Sequence, residues 1–73
     1  EVLTLLISTI KDEYDDVRNG ALCGINIFIE KNKIPATQIE EIFNLYKAGA
    51  KHINIETRKN TLYGIAKLIE QNK

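Results

Sequence analysis

The chain has little of what small proteins use to staple themselves. Its 73 residues contain one cysteine, Cys23, and one histidine, His52. One cysteine cannot close an internal disulfide, and one cysteine with one histidine cannot build a structural zinc site. Net charge is zero, so no gross attraction to nucleic acid or anionic lipid is expected. No apolar run approaches the about 20 residues of a membrane span. The apolar opening lacks the basic lead and small-residue cleavage site of a secretory signal. There is no Asn-x-Ser/Thr sequon. With the lone cysteine this fits a reducing compartment, and the expectation is an intracellular protein, cytoplasmic or nuclear. No glycine-rich phosphate loop is present. The expectation is a protein that is not an enzyme and uses no cofactor and no metal.

What the chain does have is an echo. Arg18, Leu22, Gly24, Ile25, Ile29, Glu30, Asn32 and Lys33 return as Arg58, Leu62, Gly64, Ile65, Ile69, Glu70, Asn72 and Lys73, a period of 40. A fixed period of this size marks a repeat architecture, in which each unit covers the apolar face of the next. The units read as residues 1–33 and 34–73 of one small domain. A core of this size supplies only a few kcal/mol. The chain opens on Glu1, and its helical pattern runs to Lys73 with no stop signal. The expectation is a fragment of a longer solenoid, or a piece that leans on a partner.

The apolar period is helical throughout. Val2, Leu3, Leu5, Leu6, Ile7 and Ile10 predict a first helix, apolar on most of its circumference and buried on more than one side, ending near Lys11-Asp12. Asp15 and Asp16 offer an N-cap to a second helix, about 16–31, with Val17, Ala21, Leu22, Ile25, Phe28 and Ile29 as its apolar set. Asn32-Lys33-Ile34-Pro35 breaks the pattern. Thr37 with Glu40 has capping-box spacing for a third helix, about 37–48, which carries Ile39, Ile42, Phe43, Leu45 and Tyr46. Gly49 suits its C-terminal cap. Asn54 is the expected N-cap of a fourth helix carrying Leu62, Ile65, Leu68 and Ile69 to the end of the chain. Short linkers imply antiparallel neighbours. The fold class read here is all-α, two antiparallel helix pairs.

Leu6-Ile7-Ser8-Thr9-Ile10-Lys11-Asp12, followed by Asp15-Asp16-Val17-Arg18-Asn19-Gly20-Ala21 and Ile25, resembles a HEAT repeat. In that family an Asp closes the first helix and a Val-Arg pair opens the second. Asp12, Val17, Arg18, Ala21 and Ile25 match that pattern. In the second unit Arg58, Leu62 and Ile65 hold, while His52 stands for the Asp, Thr57 for the Val and Thr61 for the Ala. A tetratricopeptide array would repeat at about 34 instead. The resemblance implies an armadillo/HEAT-like α-solenoid, a segment of right-handed superhelix. It implies a ladder of charged hydrogen bonds in which Asp12, Arg18 and Arg58 take part. With His52 in place of the Asp, Arg58 pairs with Asp12 or Glu56, or is free for a partner.

The resemblance also places the second helix of each unit on a concave binding face. Asn19, Cys23, Asn26 and Glu30 would then point out along it, with Lys59, Tyr63, Ala66 and Glu70 as their counterparts and Lys67 and Asn60 at its border. The candidate partner-binding residues are Asn19, Asn26, Lys59, Tyr63 and Lys67. The expected function is a protein-binding scaffold whose partners are a protein or peptide, with neighbouring repeats of the same chain. The alternative is a nucleic-acid-binding module of the DNA-repair type. Lys59 and Lys67 favour it, and Glu30 and Glu70 oppose it. Gly24 and Gly64 inside helices imply that two helix backbones approach closely there. Cys23 is expected to be buried as a small hydrophobe, with no cation near enough to activate it. His52 is expected at the surface. Asp12, Glu13, Asp15 and Asp16 lack the alternating ligands and turn glycine of a calcium loop.

Overall fold

The structure, a computed structural model, describes residues 2–71. Four helices follow in order: α1 Val2–Thr9, α2 Asp15–Glu30, α3 Ala36–Gly49 and α4 Ile55–Gln71. No strand occurs among the described residues. Asn72 and Lys73, over which the last helix was expected to continue, lie outside them, as does Glu1.

Local chemistry moves several of the expected ends. α1 stops at Thr9, where the Ser8 and Thr9 hydroxyls both donate to the Leu5 carbonyl, at 2.9 and 2.7 Å. Such back-bonding competes with the helical ladder. α2 is entered through Tyr14, which makes no side-chain cap, so neither Asp15 nor Asp16 is the N-cap. The Asp12 carboxylate instead accepts from the Tyr14 N–H at 2.8 Å, an Asx turn that sets the approach. α2 ends in a Schellman motif. Asn32 takes φ 55°, the Lys33 N–H reaches the Phe28 carbonyl and the Asn32 N–H that of Ile29, both at 2.9 Å. The Thr37–Glu40 capping box does not form, because α3 has already begun at Ala36, after Pro35. A proline here fixes φ where no donor is needed. Asn54 does cap α4, its Oδ1 accepting from the Thr57 N–H at 2.9 Å.

α1 packs on α2, α3 on α4, and α2 on α4. α2 and α4 run parallel: hydrogen bonds link Asp15 to Asn54, Arg18 to Thr57 and Asn26 to Asn60, advancing together along both helices. The core is Leu3, Ile7 and Ile10 from α1 and its exit, Ala21, Leu22, Ile25 and Ile29 from α2, Ile42 and Tyr46 from α3, and Leu68 from α4.

Three apolar assignments change. α1 buries one side, while Val2 and Leu5 stay exposed. Val17 is exposed rather than part of the α2 core stripe. In α4 the expected Leu62 and Ile69 are exposed, and the buried side is Thr57, Thr61, Gly64 and Leu68. The physical cause is shared. A helix wheel shows which residues lie together, whereas the neighbour that covers them comes from another part of the chain.

Gly24 and Gly64 receive side chains, not backbone. A Cβ on Gly24 would meet the Leu6 side chain at 3.0 Å, and one on Gly64 would run into the Tyr46 ring and Asn26 Oδ1. Leu6–Gly24 and Tyr46–Gly64 are the same contact one repeat apart. Gly49 has no positive φ and lies inside α3, with Ala50 as the C-cap. Its missing Cβ makes room for Thr61 of α4.

Candidate functional site

The seam between α2 and α4 is polar at one end, and Asn54 organises it. While its Oδ1 caps α4, its Nδ2 donates to Asp15 Oδ2 at 2.9 Å. Asn19 Nδ2 donates back to Asn54 Oδ1 at 3.2 Å, and the Thr57 hydroxyl donates to Asn19 Oδ1 at 2.8 Å. Arg18 is buried here. Its guanidinium donates to Thr57 Oγ1 and the Asp12 carbonyl, both at 3.0 Å, and pairs with the Asp15 carboxylate. A fork with that many donors suits such a convergence of acceptors. The Thr57 that departs from the repeat pattern is thus the residue that receives Arg18 across the seam.

The arginine geometry repeats with the sequence. Arg58 donates to the His52 carbonyl at 2.7 Å, as Arg18 does to the Asp12 carbonyl, and also to the Ile53 carbonyl at 2.9 Å. Neither arginine bonds the Asp12 carboxylate, and Arg58 pairs with neither Asp12 nor Glu56. His52 takes over the role of the missing Asp: its Nδ1 accepts from the Asn54 N–H at 3.0 Å, as Asp12 accepts from Tyr14. It is half-buried against the turn rather than a free surface residue.

Further along the seam, Asn26 is buried. Its Nδ2 donates to the Asn60 carbonyl at 3.0 Å, and its Oδ1 accepts from the Tyr46 phenol at 2.8 Å. Burial, and then the Cys23 charge, hold the Tyr46 phenol above the ordinary tyrosine range. Asn26 was expected on the outer face, and Asn19 beside it. Both instead lie on the side of α2 turned toward α4. Their counterparts Lys59 and Ala66 lie on the matching side of α4, where they are exposed.

The open strip runs along a different line. On α2 it holds Asp16, Gly20, Cys23, Ile27 and Glu30, all exposed. Tyr63 and the half-exposed Lys67 stand across from it on α4. Cys23 is exposed, not buried. The Tyr63 phenol donates to the Glu30 carboxylate, a bond that raises its pKa. The Lys67 ammonium sits 5.7 Å from the Tyr63 ring centre, a cation–π distance. Sequence reasoning missed Ile27. Its position on the wheel, off the buried stripe and level with Lys67 one repeat later, is the signal that places it outside.

A cleft of about 220 Å³ also opens where the helix pairs meet, walled by Ile10, Leu22, Leu45 and Ala48 with Arg18 and His52 among its polar groups. Small-molecule sites run from about 300 Å³ upward. No buried side-chain nitrogen or oxygen among the described residues lacks a partner, so nothing there waits to orient a ligand. Among the described residues no three His, Cys, Asp or Glu side chains converge to hold a metal ion. No helix among them is long and apolar enough to cross a membrane.

Compared with protein-family models, curated proteins and solved structures, the chain matches none of them.

Proposed function

We propose that the chain is a HEAT-like α-solenoid module, a non-enzymatic scaffold that binds a protein or peptide along the open strip of α2 and α4. The carrying observation is Tyr63. It is exposed and oriented by Glu30, with Lys67 over its ring. A rigid aromatic with a polar tip and adjacent charges of both signs is the composition of a protein-binding anchor. Cys23 and Ile27 on the facing side of α2 supply apolar area beside it. The repeated contacts support the solenoid reading: Arg18 and Arg58 on loop carbonyls, and Leu6–Gly24 and Tyr46–Gly64 between paired helices. Nucleic acid is the poorer fit. Lys67 on the strip lies 3.4 Å from Glu70, and Lys59 on the neighbouring side of α4 lies 3.6 Å from Glu56, so neither is the unopposed cation that phosphates require.

Selection of a displayed peptide library on the protein, followed by calorimetric titration of the recovered peptides, tests this reading. The expected peptides lose at least about tenfold in affinity against Tyr63→Ala. Their affinity changes less than tenfold between about 50 and 200 mM salt. A selection that yields no peptide, or peptides indifferent to Tyr63, overturns the reading. Tight binding to an oligonucleotide that falls about a thousandfold over the same salt range replaces it with the nucleic-acid one.

A further inference from the structure

α1 packs on α2 and α3 on α4, and the two pairs join through α2 and α4. Over that join lies the cleft of about 220 Å³. Ile10 and Leu22 of the first pair face Leu45 and Ala48 of the second across it. Thr57 and Thr61, both buried, lie deepest. Their hydroxyls are spent on Asn19 and on the α4 backbone, so what they offer the cleft is methyl. Both walls belong to helices of the described bundle, and the cleft is bounded on each side by this chain.

The charge around the cleft has one sign. Its ionisable neighbours are Lys11, Arg18 and His52, and no acid lines it. The charge of Arg18 is met by Asp15. Lys11 is exposed and forms no ion pair or side-chain hydrogen bond with a described residue. Glu40 and Glu41 line shallower grooves that adjoin the cleft at Lys11 and Leu45, yet neither pairs with Lys11. His52 accepts the Asn54 N–H on Nδ1, so its ring proton belongs to Nε2, a donor that no described residue receives. Inside the cleft no polar atom is left over, and these two donors stand at its rim.

The C-terminal end of α3 also borders the cleft, and bare carbonyls there would repel an anion. They are occupied. The Tyr46 carbonyl accepts the Ala50 N–H at 2.9 Å, and those of Ala48 and Gly49 accept from Lys51 and His52, both at 3.1 Å.

We propose that this cleft binds a small carboxylate with a compact apolar body. The body sits among Ile10, Leu22, Leu45 and Ala48, and the carboxylate meets Lys11 and the His52 Nε2–H. An apolar cavity of about 150 Å³ is enough to hold benzene, so this one holds a single substituted ring and excludes a drug-sized molecule. The cleft shares no residue with the Tyr63 strip, and the proposal stands or falls without the scaffold reading.

Titration with benzoate, followed by methyl and amide NMR shifts of the protein, tests it. Benzoate is expected to move the Ile10, Leu22, Leu45 and Ala48 signals saturably, with a Kd of about 1 mM. Benzamide, its neutral isostere, should bind about threefold more weakly, the worth of one charge interaction at a surface. Acetate, which has the charge without the ring, should give no saturable shift there. Lys11→Gln should weaken benzoate to the level of benzamide and leave benzamide unchanged. His52→Asp keeps an acceptor for the turn but places a carboxylate at the rim, so benzoate should weaken more than benzamide. Ala48→Leu narrows the cleft and should abolish both. Circular dichroism checks that the variants fold; should Ala48→Leu unfold, nuclear Overhauser contacts from the benzoate ring to the Leu22 and Leu45 methyls of the wild type locate the ligand instead. The absence of saturable shifts overturns the proposal, and so do shifts confined to Ile27 and Tyr63. Equal affinity for benzoate and benzamide overturns the carboxylate assignment.

Discussion

Asn26 on α2 and Tyr46 on α3 meet in a buried hydrogen bond of 2.8 Å, in the space that Gly64 of α4 leaves open. Three helices are tied at this point by one amide. Its Nδ2 holds the α4 backbone at Asn60 while its Oδ1 takes the Tyr46 proton. Leaving one member of a buried pair unsatisfied costs about 1–3 kcal/mol. Tyr46→Phe should therefore lower the unfolding free energy by that amount, seen as a lower urea midpoint with little change in the denaturant slope. A midpoint equal to wild type would mean that the bond contributes nothing.

The same phenol predicts how stability responds to base. Its folded-state pKa lies above the ordinary 10.0, so above pH about 10 the unfolded chain loses this proton first. The contribution is complete below that pH and is lost as pH rises further. Thermal melts between about pH 8 and 11 should show a decline above about 10, shallower in Tyr46→Phe than in wild type. An equal slope in both would assign the decline to other groups.

Three helical glycines should respond to alanine in three ways. Gly20 has open space around it, so Gly20→Ala should stabilise by about 0.5–1 kcal/mol through helix propensity. At Gly24 the new methyl meets only the movable end of Leu6, and the two effects should nearly cancel. At Gly64 it would collide with the Tyr46 ring and Asn26, costing about 1–3 kcal/mol or more as overpacking. Melting temperatures ranked Gly20→Ala, Gly24→Ala, Gly64→Ala from high to low are the expected result. Any other order would refute this packing.

His52 should be replaceable by what stands in the first unit. His52→Asp puts a carboxylate where the imidazole Nδ1 accepts the Asn54 N–H, reproducing the Asp12–Tyr14 arrangement. Its stability at neutral pH should stay close to wild type. His52→Ala should lose about 1 kcal/mol, the net worth of one hydrogen bond. Chemical denaturation of the pair decides it: if the two substitutions cost the same, the acceptor role is wrong.

Much of the architecture was legible in the chain because it is local. The four helices follow from apolar residues recurring every three to four positions. The Asn54 cap and the break at Asn32 to Pro35 follow from side chains acting within a few residues of themselves. The first-helix end, the Asp15–Asp16 cap and the Thr37–Glu40 box were misplaced for an equally local reason. Several residues there can accept or donate to the same backbone, and small differences in geometry choose among them. The candidate site was less legible. Asn19, Asn26 and Lys59 were grouped with Tyr63 and Lys67 as one outward face, yet Asn19 and Asn26 face α4, and Lys59 lies on the matching, exposed side of α4. Ile27 and Cys23 were the residues left outside.

Leu22 and Leu62 show where the division lies. They are the same residue type at the same place in the repeat, on helices of the same register, and the chain alone gives them identical surroundings. One is 2 % exposed and the other 54 %. Sequence determined the helices, the period and the residues that share each face, because those depend on interactions a few positions apart. Which faces are covered was decided only in the tertiary structure, because burial requires a second surface: α4 covers this side of α2, and none of the described residues covers the same side of α4.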